Sequence, residues 1–223
     1  AQIHMILKKL GAVNYRITIP KRMLDGYGIN SRIIADIPDG SLVITIDNGI
    51  SANEAIREAK RRGMTVVVLD HHLRNGELPP ADLIVDPEDN PEGLTSPYYC
   101  GAGLTYNLAE DLFPYEKNLL DHLSAFAAIS TIADSVYVLG DNRNIITRGL
   151  RNLNSRTCPE GLQAILDYLA QEKNMEHIGI GEINFKIAPI VNAPGRLSDD
   201  GGKKILRAFF QHGTRAQEYA KEI

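Results

Sequence analysis

Three acidic or imidazole positions carry the chemistry this sequence offers: Asp47, His71 and Asp134. Each lies at the end of an apolar run. Asp47 follows Leu42-Val43-Ile44-Thr45-Ile46, Asp70-His71-His72 follows Val66-Val67-Val68-Leu69, and Asp134 follows Thr131-Ile132-Ala133. Together, two carboxylates and one imidazole make a mixed, mainly oxygen ligand set. Such a set favours Mn2+ or Mg2+ over structural zinc, which prefers thiolates. A cation held there would acidify a bound water and neutralise phosphate oxygens, the chemistry of phosphoester or phosphoanhydride hydrolysis. The sequence has no serine-centred nucleophile elbow and no Walker-type phosphate loop to compete with this.

Strands must deliver the first two of these groups. The run at 66–69 is apolar and mostly β-branched, as expected of a strand buried on both faces. Adjacent histidines on extended backbone point to opposite sides, so His71 and His72 are expected to do different jobs. One would ligate the metal and the other would face a substrate. Asp70 can hydrogen-bond one ring nitrogen and so fix which nitrogen stays free. A polar surface turn after a strand is the plain alternative. A second strand repeats the design at 41–46 and ends in Asp47-Asn48-Gly49. Ser51-Ala52-Asn53-Glu54 then reads as a capping box opening a helix that runs to Arg62 and stops at Gly63. Strand, helix and strand in this order form a βαβ unit, so the strands should be parallel neighbours ending at one edge. Ligands bind at that edge in open α/β sheets, and Asp47 should face Asp70-His71-His72 across a single crevice. Asp134 ends a long helix expected at 115–132, apolar nearly all round as central helices are. Its carboxylate can serve as a metal ligand or as a helix cap, and the sequence leaves both open.

The rest of the chain supplies the frame. Its 223 residues, 43% hydrophobic and 23% charged, suit a globular protein that buries a real core. Cys100 and Cys158 form neither a disulfide framework nor a zinc spacing, and a reducing cytoplasm is the expected compartment. No apolar run is long enough for a membrane span. A net charge of −4 is not the usual footprint of a nucleic-acid binder, although a local groove can be basic. Helical spacing at 1–10 opens the chain inside a helix, with no strand before it, which points to a missing upstream piece. A strand is expected at 15–19, a loop at 20–28, and a short helix at 31–37 capped by Asn30. Further along come a strand at 81–85, an exposed loop at 86–97, and helices at 104–112, 142–153 and 160–170, with two more at the C-terminus. Gly101-Ala102-Gly103 can admit a phosphate to backbone amides or allow close helix packing. The segment 185–196 reads as an apolar stretch ending in Asn192, a glycine turn and Arg196. An arginine so placed suits bidentate phosphate binding, or is simply an exposed loop residue. Lys60-Arg61-Arg62 reads as a solvated helix face.

Thr45-Ile46-Asp47-Asn48-Gly49-Ile50-Ser51, Asp70-His71-His72, Ala133-Asp134-Ser135-Val136 and Asn192-Ala193-Pro194-Gly195-Arg196 come in the order found in the DHH phosphoesterases. Gly26-Tyr27-Gly28 and Gly101-Ala102-Gly103 also resemble segments of the RecJ-like exonucleases within that family. The likeness covers almost the whole chain. It implies an α/β fold: a parallel-sheet DHH phosphoesterase domain with helices on both faces and a helical C-terminal part. Residues 1–140 would be an N-terminally incomplete core, and 141–223 the mainly helical remainder leading toward a further C-terminal domain. The implied activity is a metal-dependent 5′-to-3′ exonuclease on single-stranded DNA in repair and recombination, using Mn2+ or Mg2+. Asp47, His71 and Asp134 would be metal ligands. His72 and Arg196 would contact substrate phosphate, Asp70 would orient an imidazole, and Asn192 would support the site. The catalytic set would be Asp47, His71, His72 and Asp134. Single-strand-binding protein or a helicase would be natural partners, and a membrane would not. In the family a strand ending in Asp-x-Asp-Gly precedes a helix like that at 1–10, yet no aspartate precedes Asp25 here. This segment alone is therefore expected to bind the cation weakly and turn over little substrate. The alternatives are a non-catalytic scaffold in a replication or repair complex, and a phosphodiesterase of short oligonucleotides or cyclic dinucleotides.

Overall fold

The β-branched runs form the sheet. In the computed structural model, which describes residues 1–87 and 98–223, β1 (Leu42–Ile46), β2 (Thr65–Leu69) and β3 (Leu83–Val85) pair in parallel in the order β1-β2-β3. Helices α1 (Gln2–Lys9), α2 (Arg22–Asp25) and α3 (Ser31–Ala35) precede β1, and α4 (Asn53–Arg61) links β1 to β2. After the sheet come α5 (Gly101–Leu112), α6 (Lys117–Ala133), α7 (Gly140–Asn154), α8 (Glu160–Glu172) and α9 (Ile180–Glu182). A π-helical turn (Ile183–Ile187) leads into α10 (Ala188–Leu197), α11 (Gly201–Phe209) and α12 (Gly213–Glu222). The fold class is α/β, as expected.

Alternation along the strands sends side chains to two cores. Val43, Val66, Val68 and Ile84 pack with Ile34, Ala55, Ile56 and Ala59 from α3 and α4. Val85 turns the other way and joins Ile6, Leu104, Tyr106, Leu120 and Leu123 from α1, α5 and α6. Helices therefore cover both faces of the sheet. Helix α6 is shared between two cores: its Leu120, Leu123 and Ala127 face the α5 side, while Phe126, Ile129 and Ile132 join the C-terminal helices. That is why its sequence is apolar nearly all round. Helix α7 lies close against it, and a methyl on Gly149 would run into the Ser124 carbonyl and the Ala128 side chain.

Several local expectations change. Residues 15–19 keep alternating exposure, with Tyr15, Ile17 and Ile19 partly buried, but they join no ladder among the described residues. The segment is anchored by other contacts instead: the Tyr15 hydroxyl lies 2.9 Å from His4 Nδ1, and Arg16 Nη2 donates to the Asp36 carbonyl at 2.9 Å. The capping box does not form, because Ser51 Oγ accepts from the Asn75 amide at 3.0 Å and the N-cap position falls to Ala52. Asn30 does cap α3, its Oδ1 accepting from the Ile33 amide at 2.9 Å. The basic run on α4 is paired: Lys60 with Asp82, Arg61 with Glu58, and Arg62 with Asp39. Most of the loop expected at 86–97 lies outside the described residues. Among the described residues, no helix is long and apolar enough to cross a membrane.

Candidate metal centre and active site

The parallel register builds the site. Ile46 pairs with Leu69, the Asp47 amide donates to the Leu69 carbonyl at 2.8 Å, and the Asp70 amide donates to the Val85 carbonyl at 3.1 Å. Asp47 and Asp70 thus leave the sheet side by side at one edge. Asp47 then adopts a left-handed backbone, φ 64°. Such a conformation costs an L-residue roughly 1–3 kcal/mol and persists only where its surroundings hold it. Gly101, first residue of α5, provides part of that hold by donating its amide to Asp47 Oδ1 at 3.1 Å.

Helix α6 brings the third group. Asp134 occupies its C-cap, with its amide on the Ser130 carbonyl at 2.9 Å, and the next residue, Ser135, is again left-handed at φ 57°. Asp134 thus ends the helix, and its carboxylate also reaches His71. His71 Nε2 lies 3.2 Å from Asp47 Oδ1 and 3.0 Å from Asp134 Oδ2. One ligand atom from each of the three residues lies within 4.8 Å of the others. The ring nitrogen is buried, and although close to both carboxylates it is aligned for a hydrogen bond with neither. A buried donor atom between two hard oxygens fits a divalent cation of the Mn2+ or Mg2+ kind.

Electrostatics in the metal-free cluster reflect the same closeness. Burial pulls the His71 pKa down, but the carboxylates of Asp134 and Asp47 override it and raise the imidazole to about 10. For Asp47, burial pushes the carboxyl up, while His71, the Gly101 amide and His72 together hold it below the ordinary carboxylate value. A proton on His71 thus supplies positive charge where a cation would.

The two histidines do not point to opposite sides. Their ring centroids are 4.5 Å apart at an interplanar angle of 47°, because the backbone bends just past the end of β2. Asp70, only 1% exposed, organises that bend. Its Oδ1 accepts from the amides of His71 at 2.8 Å and His72 at 3.3 Å, and from His72 Nδ1 at 2.7 Å; its Oδ2 accepts from the Ile50 amide at 2.9 Å. A carboxylate can only accept, so Nδ1 carries the proton and Nε2 of the half-exposed His72 ring is left free.

The Arg196 segment is helix, not a turn. Asn192 and Arg196 are exposed residues of α10, which has Pro189 in its first turn and Pro194 inside it. Buried Ile187 and Ala188 and the packing of Gly201 against the Pro194 carbonyl hold this shape against local turn preference. Among the described residues, no hydrogen bond or ion pair joins Arg196 or Asn192 to Asp47, His71 or Asp134.

Two supporting groups were not foreseen from sequence. Asn48 donates to the Ile46 carbonyl at 2.8 Å and accepts from the Ile29 amide at 3.2 Å, so it lays the Gly26-Tyr27-Gly28 loop beside Asp47. Cys100 caps α5 through its sulfur, which accepts from the Gly103 amide at 3.4 Å and lies 3.5 Å from the Thr131 hydroxyl. Burial pushes the Cys100 thiol up, so it is a structural link between α5 and α6 and not a nucleophile. An Asn directly after a candidate ligand and a Cys directly before Gly101-Ala102-Gly103 are the only cues.

Residues 2–138 match the DHH family, N-terminal domain, and the chain belongs to the DHH family. It is 35% identical over 229 residues to the single-stranded-DNA-specific exonuclease RecJ of Bacillus subtilis, covering 99% of this chain and 27% of that protein. It is 30% identical over 209 residues to the protein of the same description from Dickeya dadantii, covering 87% of this chain and 36% of the relative. The chain thus spans about a third of the length of the curated relatives it matches. A crystal structure of exonuclease RecJ bound to manganese superposes with a TM-score of 0.80 at 28% identity, over 99% of this chain and 56% of that one. RecJ from Thermus thermophilus in complex with Mn2+ gives 0.73 at 26% identity, over 99% and 32%.

Proposed function

We propose that this chain is the catalytic core of a metal-dependent phosphodiesterase, a RecJ-like 5′-to-3′ exonuclease acting on single-stranded DNA in repair and recombination. The observation that carries the proposal is the convergence of Asp47, His71 and Asp134 at the sheet edge, with His71 Nε2 between two carboxylate oxygens. Those three residues would hold Mn2+ or Mg2+, as the RecJ structures with Mn2+ support. When bound, the cation supplies an acidified water and neutralises phosphate charge. His72 presents Nε2 to a substrate phosphate, with Asp70 fixing its tautomer and direction. Asn192 and Arg196, one helical turn apart on α10, offer an amide and a guanidinium to the strand's phosphates. Residues 1–140 carry the chemistry and 141–223 brace it. Repair proteins that expose or coat single strands, such as a helicase or single-strand-binding protein, are the fitting partners in a cytoplasmic setting.

The test is Mn2+-dependent release of mononucleotides from a single strand carrying a 5′-phosphate. Slow release from that end, absent on duplex and lost in Asp134→Asn, is the expected result. Degradation confined to dinucleotides or cyclic dinucleotides would overturn the substrate assignment. Activity retained by Asp134→Asn would overturn the site.

A further inference from the structure

Two exposed tyrosines stand on the two segments that carry the metal centre. Tyr137 is three residues past Asp134, and Tyr98 is three residues before Gly101, the residue bonded to Asp47. Three residues reach at most about 11 Å, which bounds how far the backbone of Tyr137 lies from Asp134 and that of Tyr98 from Gly101. Tyr137 is 66% exposed and Tyr98 41%, and their ring centroids are 4.8 Å apart, tilted by 59°. This placement is built. Asn142, fully buried, donates from Nδ2 to the carbonyls of Tyr98 at 2.6 Å and Tyr137 at 2.8 Å. Beside it the Tyr99 hydroxyl donates to Asp141 at 2.6 Å. The two backbones are therefore fixed to each other and, through Gly101 and Asp134, to the metal centre. Val138 and Leu139 extend the exposed apolar surface next to Tyr137.

We propose that Tyr137, supported by Tyr98, is a stacking platform for a nucleobase flanking the phosphate at the metal centre. The proposal rests on the nucleic-acid reading of that site. An exposed aromatic face costs solvation and invites a flat apolar partner, and every base has one. Asn142 holds the two backbones that carry the rings, so the platform's position is set before a strand binds. A platform of this kind selects base-bearing strands without selecting sequence.

The test is binding of the protein to an oligothymidylate and to an abasic strand of equal length and phosphate count, by fluorescence anisotropy without divalent metal. The expected result is tighter binding of the base-bearing strand. Tyr137→Ala should weaken that binding about tenfold and leave the abasic strand unaffected, while Tyr137→Phe retains the preference. An alanine variant that keeps the preference, or that loses both strands equally, overturns the proposal. So does a wild-type protein that binds the two strands alike. Because no hydrolysis is measured, this binding test can fail or succeed independently of the Mn2+-dependent cleavage assay that tests the exonuclease assignment.

Discussion

The Gly101 amide donates to Asp47 Oδ1, and a methyl on Gly101 would sit 2.6 Å from that oxygen and 2.7 Å from the Asp47 Cα. The helix start and the strand end are thus in contact at the proposed metal ligand, whose backbone is already left-handed. Gly101→Ala should therefore displace Asp47. We expect a stability loss of about 1–3 kcal/mol, as for overpacking generally. We also expect a smaller rise in thermal midpoint on adding Mn2+ than the wild-type chain shows. An alanine variant with the wild-type Mn2+ response would show that Asp47 does not depend on this contact.

Asp70 accepts from three amides and one imidazole while almost wholly buried. Asp70→Asn keeps the shape but replaces an acceptor oxygen with a donor nitrogen facing other donors. Leaving such groups unsatisfied costs roughly 1–3 kcal/mol, and freeing His72 should lower turnover by roughly 10–100-fold. Urea unfolding and steady-state cleavage of a single strand measure the two effects. A stable variant with normal turnover would remove Asp70 from its role.

Much of this architecture can be read from residue type. The β-branched runs before Asp47 and Asp70, the helix between them and the parallel pairing follow from alternation and length, so the convergence of those two acids at one edge is legible. Helix α6 is legible because it is buried between two cores and its sequence has no polar stripe. Legibility fails where tertiary contacts overrule local preference. Asn192-Ala193-Pro194-Gly195 looks like a turn, yet packing of α10 against α11 keeps it helical. The histidine pair was read as continuing the strand, but the ladder stops at Asp70 and the carboxylate beneath bends the chain. Ser51 has the type for a cap, but the Asn75 amide claims its hydroxyl. The contact between Gly101 and Asp47 spans 54 positions, and no local pattern encodes it.

The raised pKa of His71 fixes the sign of two pH effects. Its folded value of about 10 exceeds the ordinary 6.5, so the metal-free folded state holds a proton the unfolded state releases. The stabilisation is complete below about 6.5 and is lost as pH rises through about 10. A bound cation must displace that proton, so Mn2+ affinity should climb roughly tenfold per pH unit across the range where His71 is protonated. Calorimetry in buffers of different ionisation enthalpy should detect one proton released per cation near neutral pH. No release would place His71 outside the ligand set.

Mn2+ titration followed by electron paramagnetic resonance, on the wild-type chain and on Asp47→Asn, His71→Ala and Asp134→Asn, addresses the shared cation pocket most directly. A saturable site in the wild type, weakened at least about tenfold in each variant, is the predicted result. Equal Mn2+ binding by the wild type and all three variants would contradict it.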